Sequence, residues 1–380
     1  MRDTPPVEEL KTRLANFREL LQQRRLPAAL ITNERNVRYL SGFSGSESAL
    51  LVTRDRKFLL TDFRYREETR GAFPGWTVVV EKITRTREGQ EKELVPRALM
   101  DKAGYLARKL RLRRLAVETE DLRVVDLQAL RRAARHIRLR PQEQLLCELR
   151  LFKSAWEVRQ IEKALRIQEQ CFLELWASLE EGTSEREAAA RLRYLMVLAG
   201  ADDQAFEPLF QVGSHASRPH GRATGRVLRG EALVLVDWGA KKAGYHSDLT
   251  RTFFLGTIPD RLRKIHELVV EAQGGAINRI APGVPFAEVD AAARQAIRKA
   301  GYGQAFGHST GHGLGLDVHE PPTLSARAQG EFRAGMVVTV EPGIYCPGLG
   351  GVRIEDDVLV TPHGHRVLSR LARSLRWNAL

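Results

Sequence analysis

Asp237, Asp248, His312, Glu341 and Glu355 lie in the C-terminal half of the chain, each at the end of an apolar run or beside glycine. Four carboxylates and one imidazole make a hard, oxygen-rich ligand set suited to divalent cations. Carboxylates gathered in one cleft repel one another unless they are protonated or neutralised, and a pair of divalent ions neutralises them. Two such ions can activate a water between them, so the chemistry these residue types point to is metal-assisted hydrolysis. Their segments read LVLVDWGA (233–240), HSDLTRTFF (246–254), GHGLGLDVHE (311–320), VVTVEPGIY (337–345) and GVRIEDDVLV (351–360).

Each ligand needs an element to hold it. Asp237 closes LVLVD, apolar enough for a central strand, and the following Trp-Gly reads as a turn, placing the carboxylate at a strand rim. Asp248 enters the next strand, HSDLTRTFFLG, so a short hairpin brings the two aspartates face to face. Glu341 follows MVVTV and is closed off by Pro342-Gly343. Glu355 lies inside VRIEDDVLV, where alternation puts Arg353 and Glu355 on one face and Ile354 and Asp356 on the other. Around His312 the sequence GHSTGHGLG spaces His308 and His312 like the paired histidines of helical zinc proteases. Ser309 stands where those enzymes need glutamate, and glycines at 307, 311, 313 and 315 disfavour a helix, so a glycine-lined loop is expected. His308, His312 and His319 compete for roles, and spacing alone does not choose among them.

The whole chain sets the frame. At 380 residues with 43% hydrophobic content it is long enough for two domains, each with its own core. The first 140 or so residues alternate helical and strand patterns: an amphipathic stretch over 7–26, strands at 28–32, 49–53, 57–61, 76–81 and 114–118, and helices around 90–110 and 126–134. A mixed sheet covered by helices fits this α/β layout. SGFSGSES (41–48) reads as a glycine and serine turn rather than an anion cradle, since it lacks a P-loop lysine and spacing. From about 148 two long helical patterns follow, the second capped by Thr183 or Ser184 with Glu187 positioned for a capping box. Further helices are expected at 261–278 and 286–299 among strands. The expected domains are 1–145 and 146–380.

A net charge of +13 raises the question of nucleic acid. The basic clusters ARKLRLRRL (107–115) and RRAARHIRLR (131–140) alternate with apolar residues as solvated faces of packed elements do, and no nucleic-acid module accompanies them. No apolar run approaches the roughly 20 residues that span a bilayer, and the charged N-terminal stretch is unlike a signal peptide, so a cytoplasmic location is expected. The three cysteines, Cys147, Cys171 and Cys346, show neither disulfide nor thiolate-zinc spacing.

Taken together, VDWGA with SDLTRT, PHG, GHGLGLDVHE, EPGIY and GVRIED resemble, in order, the motifs of the pita-bread-fold metallopeptidases, specifically the two-domain Xaa-Pro aminopeptidases and Xaa-Pro dipeptidases (prolidases), and SGFSGSES resembles their creatinase-like N-terminal segment. The resemblance implies a small creatinase-like mixed-sheet domain followed by a pita-bread catalytic domain whose two halves are related by an internal pseudo-twofold, a repeat not visible in the sequence. It implies Asp237, Asp248, His312, Glu341 and Glu355 as ligands of two divalent metal ions, with Asp248 and Glu355 bridging and Glu341 also the general base. His220 in RPHG and His319 in DVHE are implied to hold substrate and the tetrahedral intermediate, His308 to be a further cleft residue, and Arg353 to precede the last ligand. The implied substrate is a peptide with proline at its second position. Manganese is expected on ligand hardness, with cobalt, zinc and iron as alternatives, and a homodimer is expected. A metal-free creatinase-like amidinohydrolase does not keep this ligand set, a methionine aminopeptidase has no companion domain, and a non-catalytic peptide-binding module is expected to have lost ligands.

Overall fold

The computed structural model describes residues 4–80, 83–85, 91–93, 98–230 and 232–373. The chain divides into two compact units, Met1–Leu149 and Arg150–Leu380.

The first unit is built on a six-stranded mixed sheet in the order Thr77–Val79, Lys57–Thr61, Ser48–Thr53, Ala28–Ile31, Arg114–Glu118 and Arg138–Gln142. Its central strands are mainly apolar and buried along their length apart from Arg114. That is the pattern expected of strands covered on both faces. The basic clusters resolve as predicted: Leu115 and Ile137 are buried while Arg108, Arg114, Arg131 and Arg138 are exposed. Within SGFSGSES Ser41 donates to the Val37 carbonyl and Ser48 to that of Gly45, and the Ser46 hydroxyl lies 3.0 Å from that of Tyr65. One expectation fails. The helix predicted over 90–110 begins only at Leu99 and runs to Lys109, whereas Glu91–Glu93 pairs antiparallel with Ile83–Arg85 as a strand. Pro96 disfavours helical backbone before it, which the apolar periodicity did not register. Gln90 and residues 94–97 lie outside the described residues.

In the second unit the long helical pattern that starts near 148 splits. Cys147–Leu151 forms one short turn of helix, and Ala155–Ala177 starts afresh from Ser154, whose hydroxyl accepts from the Glu157 amide while the Glu157 carboxylate takes the Ser154 amide. The reciprocal capping box therefore sits here. At the next helix, Glu185–Leu198, Ser184 accepts the Glu187 amide at 3.2 Å.

Two helix pairs each cover their own antiparallel sheet. Ala155–Ala177 and Glu185–Leu198 pack, through Phe172, Trp176, Leu192 and Met196, on a sheet ordered Leu209–Val212, Ala232–Trp238, Leu249–Leu255. Asp260–Ile277 and Phe286–Lys299 pack, through Val269, Phe286, Val289 and Ile297, on a sheet ordered Glu320–Leu324, Gly311–Gly313, Val337–Val340, Asp356–Thr361, Gly364–Val367. No described helix is long and apolar enough to cross a membrane. Two strands expected to be continuous are broken at the residues of interest. GVRIEDDVLV is split into Gly350–Arg353 and Asp356–Thr361, which belong to different sheets, with Ile354 and Glu355 between them. HSDLTRTFF is split into Tyr245–His246 and Leu249–Leu255, with Asp248 in the gap.

Candidate metal centre

All nine residues singled out in the sequence, Asp237, Asp248, His312, Glu341, Glu355, His220, His308, His319 and Arg353, line one cavity of about 560 Å³. The hairpin brings the two aspartates together as its sequence predicts: Ala232–Trp238 and Leu249–Leu255 pair antiparallel with Asp237 opposite Thr250, two residues past Asp248. Glu341 follows the last residue of Val337–Val340, and Glu355 immediately precedes Asp356–Thr361, the strand next to it.

The glycines around His312 do not form the expected loop. Gly311–Gly313 is a strand rather than a loop, and it is squeezed between neighbours. A β-carbon on Gly311 would lie 2.0 Å from the Thr339 carbonyl oxygen, and one on Gly313 2.2 Å from that of Pro321. Real side-chain carbons do not approach so closely, so these glycines let backbone pass backbone and fix the depth at which His312 enters the cavity.

The polar atoms of the cavity are arranged as acceptors facing acceptors. His312 Nδ1 is 3.0 Å from the Gly313 carbonyl and donates to it, which leaves Nε2 as a lone pair. That lone pair is 3.4 Å from Glu341 Oε1 and 3.8 Å from Asp248 Oδ2. Burial pushes the His312 imidazole down to about 4, so it is neutral at ordinary pH and these contacts are not ion pairs. Burial, and then the neighbouring carboxylates, push Asp248 and Glu355 well above the usual carboxylate range. Burial pushes Glu341 up to about 7, with Arg353 opposing and Asp237 adding to the rise. Asp237 Oδ1 is buried without a hydrogen-bond partner. Ligand atoms of Asp248, His312 and Glu355 lie within 4.8 Å of one another. Lone pairs and carboxylates in excess of the donors around them are unfavourable in a buried site unless a cation lies among them, and a histidine that spends its other nitrogen on a backbone carbonyl is a common ligand arrangement.

Surrounding groups hold this set in place. Thr250 donates to Glu355 Oε2 at 2.6 Å and accepts from Arg353 Nε at 3.0 Å. The buried Arg353 guanidinium also pairs with Asp237 Oδ2 and donates to the Tyr345 hydroxyl at 2.8 Å. Tyr345 in turn lies 2.9 Å from His308 Nε2, while His308 Nδ1 donates to the Ser309 carbonyl at 2.8 Å. Burial holds His308 down at about 4, so its Nε2 accepts the tyrosine proton. The order is therefore Arg353 to Tyr345 to His308. His319 and His220 stand at the exposed rim, the His319 ring centroid 4.2 Å from that of His312.

The profile of Metallopeptidase family M24 matches residues 159–362, and that of the Creatinase/Prolidase N-terminal domain matches residues 13–152. The chain belongs to metallopeptidase family M24. Among solved structures, this M24 peptidase is similar to an Xaa-Pro dipeptidase from Bacillus anthracis, with a TM-score of 0.88 and 33% identity over 96% of this chain and 99% of the other. It is also similar to an X-Pro aminopeptidase from Thermotoga maritima MSB8, with a TM-score of 0.84 and 31% identity over 94% of this chain and 99% of the other. An uncharacterized peptidase of Bacillus subtilis (strain 168), YqhT, is 35% identical over 96% of this chain and 99% of its own length.

In this M24 peptidase the alternation of Arg353 and Glu355 against Asp356 holds despite the break in the strand. Arg353 and Glu355 reach the cavity, and Asp356 is buried elsewhere among Arg251, Ser369, Gln273 and Arg373. A surface salt bridge is the ordinary reading of such a motif, and the burial of Arg353 and Glu355 excludes it. Three contributors went unread in the sequence. Thr250 and Tyr345 are neutral residues with no ligand signature, although Tyr345 belongs to EPGIY. The third, Asp357, is fully buried, and its Oδ2 accepts the Asp248 amide at 3.3 Å. Burial pushes Asp357 well above the usual carboxylate range. Its signal was only the second Asp of EDD, which alternation assigned to the same face as Glu355.

Proposed function

We propose that this peptidase hydrolyses the bond between an N-terminal residue and a following proline, as an Xaa-Pro aminopeptidase. The observation that carries the reading is the convergence of His312 Nε2, Asp248, Glu341 and the unpartnered Asp237 Oδ1 in one buried pocket. Asp237, Asp248, His312, Glu341 and Glu355 would hold two divalent cations. When bound, the ions neutralise the carboxylates, polarise the scissile carbonyl and bring a water into nucleophilic form near neutral pH. Manganese fits the hardness of the donors best.

The chain's own groups do the rest. Glu341 accepts the proton of the attacking water and returns it to the proline nitrogen as the carbon–nitrogen bond breaks. Arg353 fixes Asp237 through one carboxylate oxygen and leaves the other for a cation. His319 and His220, at the rim, donate to the oxygens on which charge develops, a preorganised effect worth roughly 3 kcal/mol per donor in other hydrolases. Phe206, Leu209, Pro219 and Val318 give the same cavity an apolar wall that suits a proline ring. The imide nitrogen of an Xaa-Pro bond has no hydrogen to grip, so recognition falls to the ring's shape.

A specific observation keeps Xaa-Pro dipeptidase as the second reading: relatives carrying each name match over nearly the full chain. The deciding experiment is metal analysis of the purified protein together with hydrolysis of Gly-Pro and of longer Xaa-Pro-Yaa peptides. Release of the first residue from both lengths supports the aminopeptidase, and cleavage of the dipeptide alone supports the dipeptidase. Inactivity on the whole panel with Mn, Co, Zn and Fe each added refutes both.

A further inference from the structure

His220 reaches the cavity from residues 213–224, where a short 3₁₀ helix, Gly213–Ser217, is followed by a turn and chain without regular structure. A buried scaffold grips that segment at three places. Glu185, the first residue of helix Glu185–Leu198, is wholly buried, and its carboxylate accepts the Val212 amide at 2.8 Å and the Thr224 amide at 2.8 Å, one at each end of the segment. The same carboxylate takes the Thr224 hydroxyl at 2.6 Å and His215 Nδ1 at 2.9 Å. The helix start adds two further ties, the Glu185 and Arg186 amides donating to the Arg226 and Thr224 carbonyls.

Gln211 completes the grip from beneath. It is wholly buried in strand Leu209–Val212, and its Nε2 donates at 2.8 Å to both the Arg218 and the Gly221 carbonyls, the two residues that bracket Pro219-His220. A β-carbon on residue 221 would stand 2.5 Å from that nitrogen, so glycine is what lets the carboxamide close the turn. Arg353, already bound to Asp237 and Tyr345, donates to the Pro219 carbonyl at 3.2 Å and ties the same turn to the metal cavity.

We infer that Glu185 and Gln211 are positioning residues for His220: they touch neither substrate nor metal ligands, and they set where the imidazole stands over the cavity. This inference rests on the role given to His220 under the proposed function. Buried polar groups whose hydrogen bonds are spent on loop backbone specify one conformation of that loop, and a misplacement of about 1 Å at a reacting group can cost on the order of a hundredfold in rate.

The test is a double-mutant cycle in the metal-loaded full-length protein, with Gln211→Met and Glu185→Gln each made alone and together with His220→Ala. Either variant is expected to lower kcat on an Xaa-Pro-Yaa peptide by on the order of tenfold, with metal content unchanged. In the His220→Ala background the same substitution should cost less than about twofold, because there is no longer an imidazole to place. Equal losses in both backgrounds, or no loss in either, overturn the inference. If Glu185→Gln does not fold, Gln211→Met carries the cycle.

A second readout is independent of turnover. With ¹⁵N-labelled histidine, the His220 ring resonance, assigned by its absence in His220→Ala, should shift in Gln211→Met while that of His312 stays in place. An unmoved His220 resonance refutes the positioning. If the wild-type protein cleaves no Xaa-Pro peptide, the proposed function falls and the resonance alone decides this point.

Discussion

Glu341→Gln should make the metal-free protein more stable at neutral pH and the metal-loaded protein less stable. Glu341 has an ordinary value of 4.5 and is pushed up to about 7 by burial in the carboxylate cavity. An acid whose folded value is raised favours the folded state fully below 4.5, loses that advantage as pH rises, and has lost it above about 7. At about 1.4 kcal/mol per pH unit, that interval corresponds to roughly 3 kcal/mol. His312, His308 and His266, each pushed by burial down to about 4, act in the opposite sense. Their neutral forms are buried, so their stabilisation is present above 6.5 and is lost as pH falls toward 4, which partly masks the glutamate in the raw pH profile. The difference between wild type and Glu341→Gln cancels the histidines.

The assay is denaturant unfolding in EDTA at steps from pH 4.5 to 7.5, followed by tryptophan fluorescence, since Trp156, Trp176 and Trp238 all lie in the second unit. Over that range the variant should gain about 3 kcal/mol relative to wild type. With saturating Mn²⁺ the ranking should invert. Wild type gains by mass action, about 4.1 kcal/mol at a thousandfold excess over Kd, which exceeds the metal-free difference, while the variant lacks a charged ligand. A stability difference that stays flat with pH in EDTA would refute the account of the cavity as a set of mutually repelling acceptors. A ranking that Mn²⁺ leaves unchanged would remove Glu341 from the ligand set.

Two further outcomes follow from the same geometry. His319→Ala should lower kcat by roughly two orders of magnitude with metal content intact, measured by steady-state kinetics and elemental analysis; an unchanged kcat removes His319 from the mechanism. Gly311→Ala should cost more than about 3 kcal/mol in stability and lower metal affinity, because the new methyl group meets the Thr339 carbonyl and the strand carrying His312 must shift; native stability and metal binding in this variant would show that the strands can separate.

What the sequence revealed of the site was its charged part. Asp237 and Glu341 could be placed because each ends an apolar strand, and Arg353 with Glu355 because alternation survives a break in pairing. The supports were hidden for a physical reason. Thr250, Tyr345 and Gln211 act through partners that only the fold supplies, and nothing in their neighbours along the chain distinguishes them from ordinary strand residues. The glycines near His312 were visible, but their purpose was not, since the atoms they avoid belong to other strands: Thr339, 28 residues on from Gly311, and Pro321, 8 residues on from Gly313. Residues 90–110 show the converse: helical apolar spacing continues across Pro96, which disfavours helical backbone before it, and the helix forms only from Leu99.

The proposed ligands divide between the two helix-covered sheets. Asp237 and Asp248 come from the sheet that packs on Ala155–Ala177 and Glu185–Leu198, whereas His312, Glu341 and Glu355 come with the sheet under Asp260–Ile277 and Phe286–Lys299. Ion binding is therefore a measure of how well two independently cored layers are docked. A substitution deep in either core, far from any ligand, reaches the chemistry by loosening that docking, and its signature is an activity loss that excess cation restores. A loss that excess cation does not restore marks a chemical group. Titration with metal thus separates packing defects from catalytic ones anywhere in the unit, without a structure of each variant.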